Sequence, residues 1–545
     1  MKKYVFVIIA FVVSFNLNAQ VTTTIFPNGD AFKEFPLLNQ INNEEIPLYE
    51  MPSFNLDSVI QEEIELDEQG VGRPFRFGYG FDVDYGMEHG RWQELEDKNI
   101  WSIRFRSNGA YTLNFRFSNL NLSDKSELYI YNSNGTVVDG PITSDDNATY
   151  MFRYIGSHLI ASDESIIQII EPSNSMQPST MKITMVVHGF VNHYKNILLN
   201  NDKKGDNFQA GSILTCHNDV MCHPTYENIS RGVVMNMVGW SAFCSGALLN
   251  NTMGTNRPYI LTAFHCVDSD KNGILSNAEK TAAESWSFVF NYKYSSCNGT
   301  VPSLISLHRY NNTHFRAAWQ KTDFLLLELK ESVKDSNVRF LGWDNSGANP
   351  SNTHNTVGIH HPNGHPMKIS LRNGWVYSNS SSFTSGGNTY PRNHFWDVWF
   401  DNGSIQPGSS GSPLFSKLDL INSEHRVIGQ AGFVNDTAAC PPNLRARYGR
   451  FSLSWLGGGT KDTQLENWLA PFNNIKYQIN TMGPCQSFNL WDIIVNMDER
   501  IICKDISVKN VTVPSGRTLE LESTGGSVKI YGDFKIESGA SFIIR

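Results

Sequence analysis

Over long stretches of this chain apolar and polar residues alternate one by one, as in "WSIRFRSNGAYTLNFRF" and "ELYIYNSNGTVV". Asn-Gly and Asp-Gly pairs punctuate the runs. A period of two puts one face of an extended strand on a core and the other toward water, and the paired turn residues favour hairpins. From Trp101 to Val191 this pattern predicts an antiparallel β-sandwich. The segment after residue 211 also reads as short strands, with one helical stretch at "DTQLENWLAPF". From Cys485 on, "TLELES", "SVKIYGDFKI" and "SGASFIIR" repeat as short alternating runs, too few for a full solenoid and read as a small β module. The expectation is a mostly β protein.

At 545 residues the chain should divide into about three or four domains. Lys2 and Lys3 precede an apolar run to Phe15, and Leu17 and Ala19 suit cleavage before Gln20, so residues 1–19 read as a secretory signal peptide. No later stretch reaches the roughly 18 apolar residues of a membrane span. The predicted location is outside the cell, secreted or held at the cell surface. Residues 20–205 form a cysteine-free, β-rich region. "NNDKKGDNFQAGS" follows as an exposed linker suited to proteolysis. Residues 211–482 form the next domain and 485–545 the last. A net charge of -9 argues against nucleic acid as a partner. Eight cysteines, an even count in an exported chain, favour disulfides. "CHNDVMCH" also offers Cys216, His217, Cys222 and His223 as a zinc set, which an oxidising destination disfavours.

Three short motifs carry chemistry. "YILTAFHCVD" places His265 after an apolar strand, "KTDFLLLELK" places Asp323 at the head of another, and "QPGSSGSPLF" sets Ser410 among glycines. Serine needs a base to become a nucleophile. Histidine can take and return that proton near neutral pH. A buried aspartate fixes the imidazole tautomer. Backbone N–H groups of Gly408 and Ser410 could hold an oxyanion, which explains a glycine-rich turn. The order His, Asp, Ser is that of the chymotrypsin-like β-barrels. Ser412 stands where an α/β-hydrolase elbow needs its last glycine.

These motifs resemble those of the trypsin-like serine proteases, and more narrowly of the bacterial lysyl endopeptidases. The resemblance runs from about Cys216 to Leu469 and includes "CSGALLNN", "GIHHPNG", "PGSSGSPLF", "VIGQ", "RYGRFSLSW" and "NWLAP". It implies a double β-barrel protease domain behind an N-terminal propeptide, with His265, Asp323 and Ser410 as the triad. It pairs Cys216 with Cys440, Cys222 with Cys297, and Cys244 with Cys266, leaving Cys485 and Cys503 to close a short C-terminal loop worth roughly 3 kcal/mol. The propeptide is expected to fold on its own and to block or chaperone the protease, with cleavage between Lys203 and Gly211. Ser409 takes the place of the acid that most such enzymes pair with a new N-terminus, so that activation route is not expected here.

Specificity departs from the family. Ala446 in "LRARYGR" replaces the acid that selects lysine, Gly432 replaces a histidine, and Ser404 stands six residues before Ser410, where trypsin keeps its acid. Ser404, Gln406 and Ala446 are the pocket candidates. The expected pocket is neutral, or tolerant of acidic side chains through Arg445 or Arg447, unless Asp436 supplies a charge. The predicted function is therefore a secreted serine endopeptidase acting on proteins or peptides without a required cofactor. An inactive protease-fold adhesion protein and a secreted esterase are the alternatives. The C-terminal module is a candidate for surface or glycan contact. Finally, "DSDKNGILSNAE" puts Asp268, Asp270, Asn272 and Glu279 at positions 1, 3, 5 and 12 of a calcium loop, with Gly273 at position 6. A polar insertion is the competing reading of that loop.

Overall fold

A computed structural model describes residues 23–26, 28–68, 72–144, 155–192, 213–300, 302, 304, 307–351, 355–418, 424–435, 440–442, 444–471, 474 and 476–545. The signal-peptide segment, the expected cleavage region and Asp436 lie outside those residues. No helix among the described residues is long and apolar enough to cross a membrane.

The alternating N-terminal runs form two sheets. In the larger, Lys98–Arg106 pairs antiparallel with Glu164–Pro172, which in turn pairs with Glu127–Asn132. In the smaller, Thr180–Gly189 lies between Thr112–Asn121 and Gly78–Tyr85. Trp101, Ile103 and Phe105 from one sheet meet Leu113, Phe115 and Phe117 from the other in one core. The outer face of the larger sheet is covered as well. Ile100, Tyr131 and Ile166 pack there under Ala31, Leu38, Ile41 and Ile46.

This sandwich does not stop at its own boundary. Met235, Met237, Trp240 and Phe243 of the following domain belong to the same apolar core. The Asn114 amide donates to the Trp240 carbonyl at 2.9 Å. A side chain on Gly156 would overlap the Trp240 ring, so glycine is what allows the two surfaces to close. In the full chain the region thus shares its apolar core with its neighbour.

Two antiparallel sheets of eight strands follow. The first contains Val233–Val238, Ala242–Leu249, Tyr259–Ala263 and Phe324–Leu329; its eighth strand, Phe75–Arg76, comes from the N-terminal region. The second contains Thr356–His360, Pro413–Ser416, Arg426–Val434 and Arg445–Arg450. Each has its own apolar core, and a third cluster built on Leu249, Leu261, Trp343 and Ile359 joins them.

The C-terminal module differs from a simple hairpin module. Ser487–Trp491, Asp505–Val513 and Val528–Ile536 pair in parallel, as do Glu499–Cys503, Thr518–Ser523 and Ser541–Ile544. The chain coils, giving one strand to each sheet per turn, and stacks Leu490 on Val508 and Ile501 on Leu521. It is a short parallel solenoid. Alternation alone cannot reveal this, because parallel and antiparallel strands share the same period.

The first coil docks on the first barrel through buried charge. Arg257 pairs with Glu328 at 2.8 Å and Glu499 at 3.3 Å, and Arg316 pairs with Glu328 at 2.6 Å. Despite burial, the two guanidiniums hold Glu328 down at about 2, whereas burial pushes Glu499 up to about 7. Removing one partner of a buried pair leaves an uncompensated charge. Arg257→Ala is therefore expected to destabilise the chain by about 3–5 kcal/mol. Urea denaturation should show a lower midpoint, and an unchanged midpoint would contradict the assignment of this cluster as an anchor.

Candidate active site

Asp323 ends a short 3₁₀ turn in the left-handed region, at φ 58°, and the strand Phe324–Leu329 starts immediately after it. Aspartate tolerates that conformation better than most residues. The reversal turns both its carbonyl and its carboxylate toward the 3₁₀ turn Phe264–Cys266. The Phe264 N–H donates to the Asp323 carbonyl at 2.8 Å. The His265 N–H donates to Oδ1 at 3.0 Å, and His265 Nδ1 lies 2.8 Å from Oδ2. A carboxylate only accepts, so Nδ1 carries the proton and Nε2 presents its lone pair. Nε2 is 2.8 Å from Ser410 Oγ. Asp323 has no exposed surface, and a Cβ on Gly432 would come within 2.8 Å of its Oδ2, so that glycine keeps the carboxylate's face clear.

Ser410 sits in a turn fastened to the first barrel. Ser245 donates its N–H to the Ser410 carbonyl and its hydroxyl to the Gly408 carbonyl, each at 2.8 Å. The Ser245 hydroxyl also accepts the His361 N–H at 3.0 Å. Gly408 has φ 86° and Gly411 φ 83°, where a side chain would be strained. A Cβ on Gly411 would also strike Thr262 and Ser245. Among the described residues neither the Gly408 nor the Ser410 N–H has an acceptor. They are two unused N–H donors in the turn that carries the Ser410 hydroxyl.

A pocket opens next to Ser410, with walls from Ile405, Gln406, Pro407, Ala431, Phe433 and Val434. Gln406 is where the sequence placed it, although its Oε1 accepts from Leu214 N–H and from His217 Nε2. Ser404 and Ala446 are fully buried rather than exposed in the wall, Ala446 among Trp396, Val398 and Tyr448. Arg445 and Arg447 flank Ala446 on the strand and point away from that core by alternation. Arg447 pairs with Asp397 at 3.0 Å and lies over the Phe383 ring. Neither arginine lines the pocket.

The cleft also holds a piece of the N-terminal region. Phe75 pairs with Phe243 and Arg76 with Ala242, and the Arg73 carbonyl lies 3.3 Å from Ser410 Oγ. Gly72 rests on the Phe433 ring, and its N–H reaches Ser385. The Arg73 guanidinium is bound to Glu63 and to the Glu63 carbonyl. Motif reading gave no sign of this segment. It also missed Ser245 and the aromatic wall of Phe383, Tyr390, Phe395 and Phe433, with Phe433 5.6 Å from the His265 ring. Their types are common in any β core, and only the fold brings them here.

The structure brings Cys216 to Cys440, Cys222 to Cys297, Cys244 to Cys266, and Cys485 to Cys503. With Cys216 and Cys222 oxidised, the alternative zinc set has no thiolate. Cys244–Cys266 ties the strand Ala242–Leu249 to the histidine turn. Asp268, Asp270 and Glu279 come together, while Asn272 is hydrogen-bonded to Asp270 beside them.

Two β-barrel sheets with serine, histidine and aspartate side chains in contact across their seam have the arrangement of the trypsin-like serine proteases. Residues 210–448 match the family model described as lysyl endopeptidase, C-terminal domain. A lysyl endopeptidase of Pseudomonas aeruginosa is 26% identical over 279 residues, covering 48% of this chain and 53% of that protein. The chain is related to the lysyl endopeptidases and spans about half the length of the curated relative it matches. Among solved structures, kallikrein-related peptidase 10 is 16% identical, covering 42% of this chain and 95% of that one at a TM-score of 0.27. Human heparin binding protein is 14% identical, covering 42% and 89% at 0.26.

Next to Ser410 lies a cluster of buried imidazoles. Ser409 Oγ is 2.8 Å from His360 Nδ1, and the His217 and His360 rings lie 5.5 Å apart. Burial lowers His217 and His361 to about 4 and puts His360 well below its ordinary value. The folded chain thus keeps them neutral where the unfolded chain protonates them. The unfolded state binds more protons below about pH 6.5, so stability falls as pH drops from there toward about 4. Thermal melts across that window should show the midpoint decline, and His217→Gln should flatten the decline. A midpoint independent of pH there would contradict the neutral cluster.

Proposed function

We propose that the chain is an exported serine endopeptidase, kept as a precursor by its own N-terminal region. The single observation that carries this reading is the relay from buried Asp323 through His265 to Ser410, with both side-chain contacts at 2.8 Å. In the first step Ser410 Oγ attacks the substrate carbonyl carbon and its proton passes to His265 Nε2. The carbonyl oxygen becomes an oxyanion, received by the Gly408 and Ser410 N–H groups. The imidazolium, stabilised by Asp323, returns its proton to the leaving nitrogen, and the peptide bond breaks to give an acyl-enzyme. Water then repeats the sequence and frees Ser410.

Among the described residues that line the pocket from the protease domain, none carries a charge. A lysine ammonium buried there would lose its hydration without gaining a carboxylate, at a cost of several kcal/mol. The preferred residue before the cleaved bond is therefore uncharged, not the lysine cleaved by the relatives after which the family is named. On a peptide library, hydrolysis should follow neutral side chains. Ser410→Ala should remove about 10⁶-fold of the rate, and Asp323→Asn about 10⁴-fold through the wrong imidazole tautomer. Ser409→Ala should retain activity. Cleavage confined to lysyl bonds would overturn the specificity, and loss in Ser409→Ala without loss in Ser410→Ala would overturn the nucleophile. Ester hydrolysis without peptide hydrolysis would favour the esterase reading.

The N-terminal segment supports precursor status. The Arg73 carbonyl lies 3.3 Å from Ser410 Oγ, and two residues on Phe75 pairs antiparallel with Phe243, so under this reading the segment occupies the cleft as a peptide would. Two features protect that bond. The Arg73 guanidinium is held by Glu63 and not by the pocket. The nitrogen that would leave belongs to proline, whose ring removes the N–H and crowds the face from which His265 must protonate it. With a neutral residue before the bond, the double variant Arg73→Leu/Pro74→Ala is expected to yield self-cleavage between residues 73 and 74, visible by N-terminal sequencing of the product. A variant as intact as the wild type, in a preparation whose processed form is active, would contradict this form of inhibition.

A further inference from the structure

The loop after the histidine turn carries a feature the peptidase chemistry does not use. One oxygen each from Asp268, Asp270 and Glu279 lie within 4.8 Å of one another. Asp268 is 5% exposed. Its Oδ2 accepts the Gly273 N–H at 3.0 Å and the Asn388 amide at 3.4 Å, whereas its Oδ1 is buried and has no hydrogen-bond partner. No lysine or arginine among the described residues pairs with any of the three. A buried carboxylate with one oxygen lacking any donor and two further carboxylates beside it is costly. Burial, with the Glu279 and Asp270 charges beside it, pushes Asp268 up.

The backbone around the cluster is built to hold it. Gly273 takes φ 76° at the sixth position of the loop. Ser276 caps the helix Asn277–Ala283 in a box with Glu279, whose two oxygens accept from the N–H and hydroxyl groups of Ser269 and Ser276. Turning a hydroxyl hydrogen away frees a lone pair on Glu279 for a cation while the backbone N–H bonds stay in place. The incoming element is the short turn Phe264–Cys266 and not a helix, so only the outgoing half of an EF-hand is present. Asn272 Oδ1 already accepts the Ile274 N–H at 2.7 Å and its amide holds Asp270, which makes it a support for the site.

We infer that the loop 268–279 binds one Ca²⁺ through the orphan oxygen of Asp268 together with the carboxylates of Asp270 and Glu279. Hard carboxylate oxygens suit Ca²⁺, and its coordination of six to eight is completed by water or backbone oxygens. The ion lies three residues from His265 in the chain. Through Asn388, which also donates to the Lys271 carbonyl at 3.0 Å, it fastens the hairpin that carries Phe383 and Tyr390.

The test is calorimetric titration of CaCl₂ into the chelator-treated full chain, with thermal melts alongside. One ion should bind with Kd of about 10⁻³ M or tighter, the weak end of extracellular modules. The melting midpoint should rise with calcium. Asp270 is exposed, so Asp270→Asn should fold normally yet bind about tenfold more weakly or worse and lose the calcium-dependent rise. Asp533→Asn, an exposed aspartate of the C-terminal module, should behave as wild type. Absence of binding heat and of any midpoint shift at about 10 mM calcium, or equal affinity in Asp270→Asn, would overturn the site.

Discussion

A carboxylate with no access to water survives only when donors surround it, and at Asp323 those donors belong to the residue it serves. His265 supplies both its backbone N–H and its ring, and Phe264 supplies an N–H to the Asp323 carbonyl. Three hydrogen bonds thus lock the aspartate turn to the histidine turn before serine is considered. The strand that follows Asp323 is fully buried and ends near Glu328, the acid that anchors Arg257 and the C-terminal coil. One strand therefore connects the orientation of the imidazole to the docking of a distant module. The stapling of Ser410 to Ser245 and the Cys244–Cys266 bridge fix the other half of the relay to the same barrel.

The N-terminal region is more than a cover placed on a finished enzyme. It contributes a strand to the first barrel, shares a core with Trp240 and Phe243, and leaves the Arg73 carbonyl beside the nucleophile. Under the proposed function, its departure would expose Trp240 and the edge of Ala242–Leu249 together with the cleft. Folding and inhibition would then be two aspects of one interface.

Much of this was readable in the residues. Alternation at 101–138 marks strands because a half-buried strand must repeat every second residue. His265, Asp323 and Ser410 stand out because that order of side chains suggests a proton relay, and the fold brings the three into contact. Features that depend on where strands pair were not legible. The parallel coil after Cys485 has the same period as a hairpin module. Ala446 sits behind the pocket wall because strand alternation turns it inward, and Ser404 is buried in the irregular segment before Gln406. The segment 72–76 carries no motif, and only its register against Phe243 sets it on Ser410. Asn272 kept its place in the calcium spacing but spends its side chain on neighbouring loop atoms.

The central claim is that Ser410 is an activated nucleophile beneath a removable segment. Intact-mass and peptide-level analysis after treatment with a fluorophosphonate tests it most directly, because the reagent forms a stable bond only with an activated serine. A single adduct is expected on Ser410, formed slowly in the full chain and rapidly once the N-terminal region has been removed. An adduct on Ser409, equal rates in both forms, or no adduct on the processed form would contradict it.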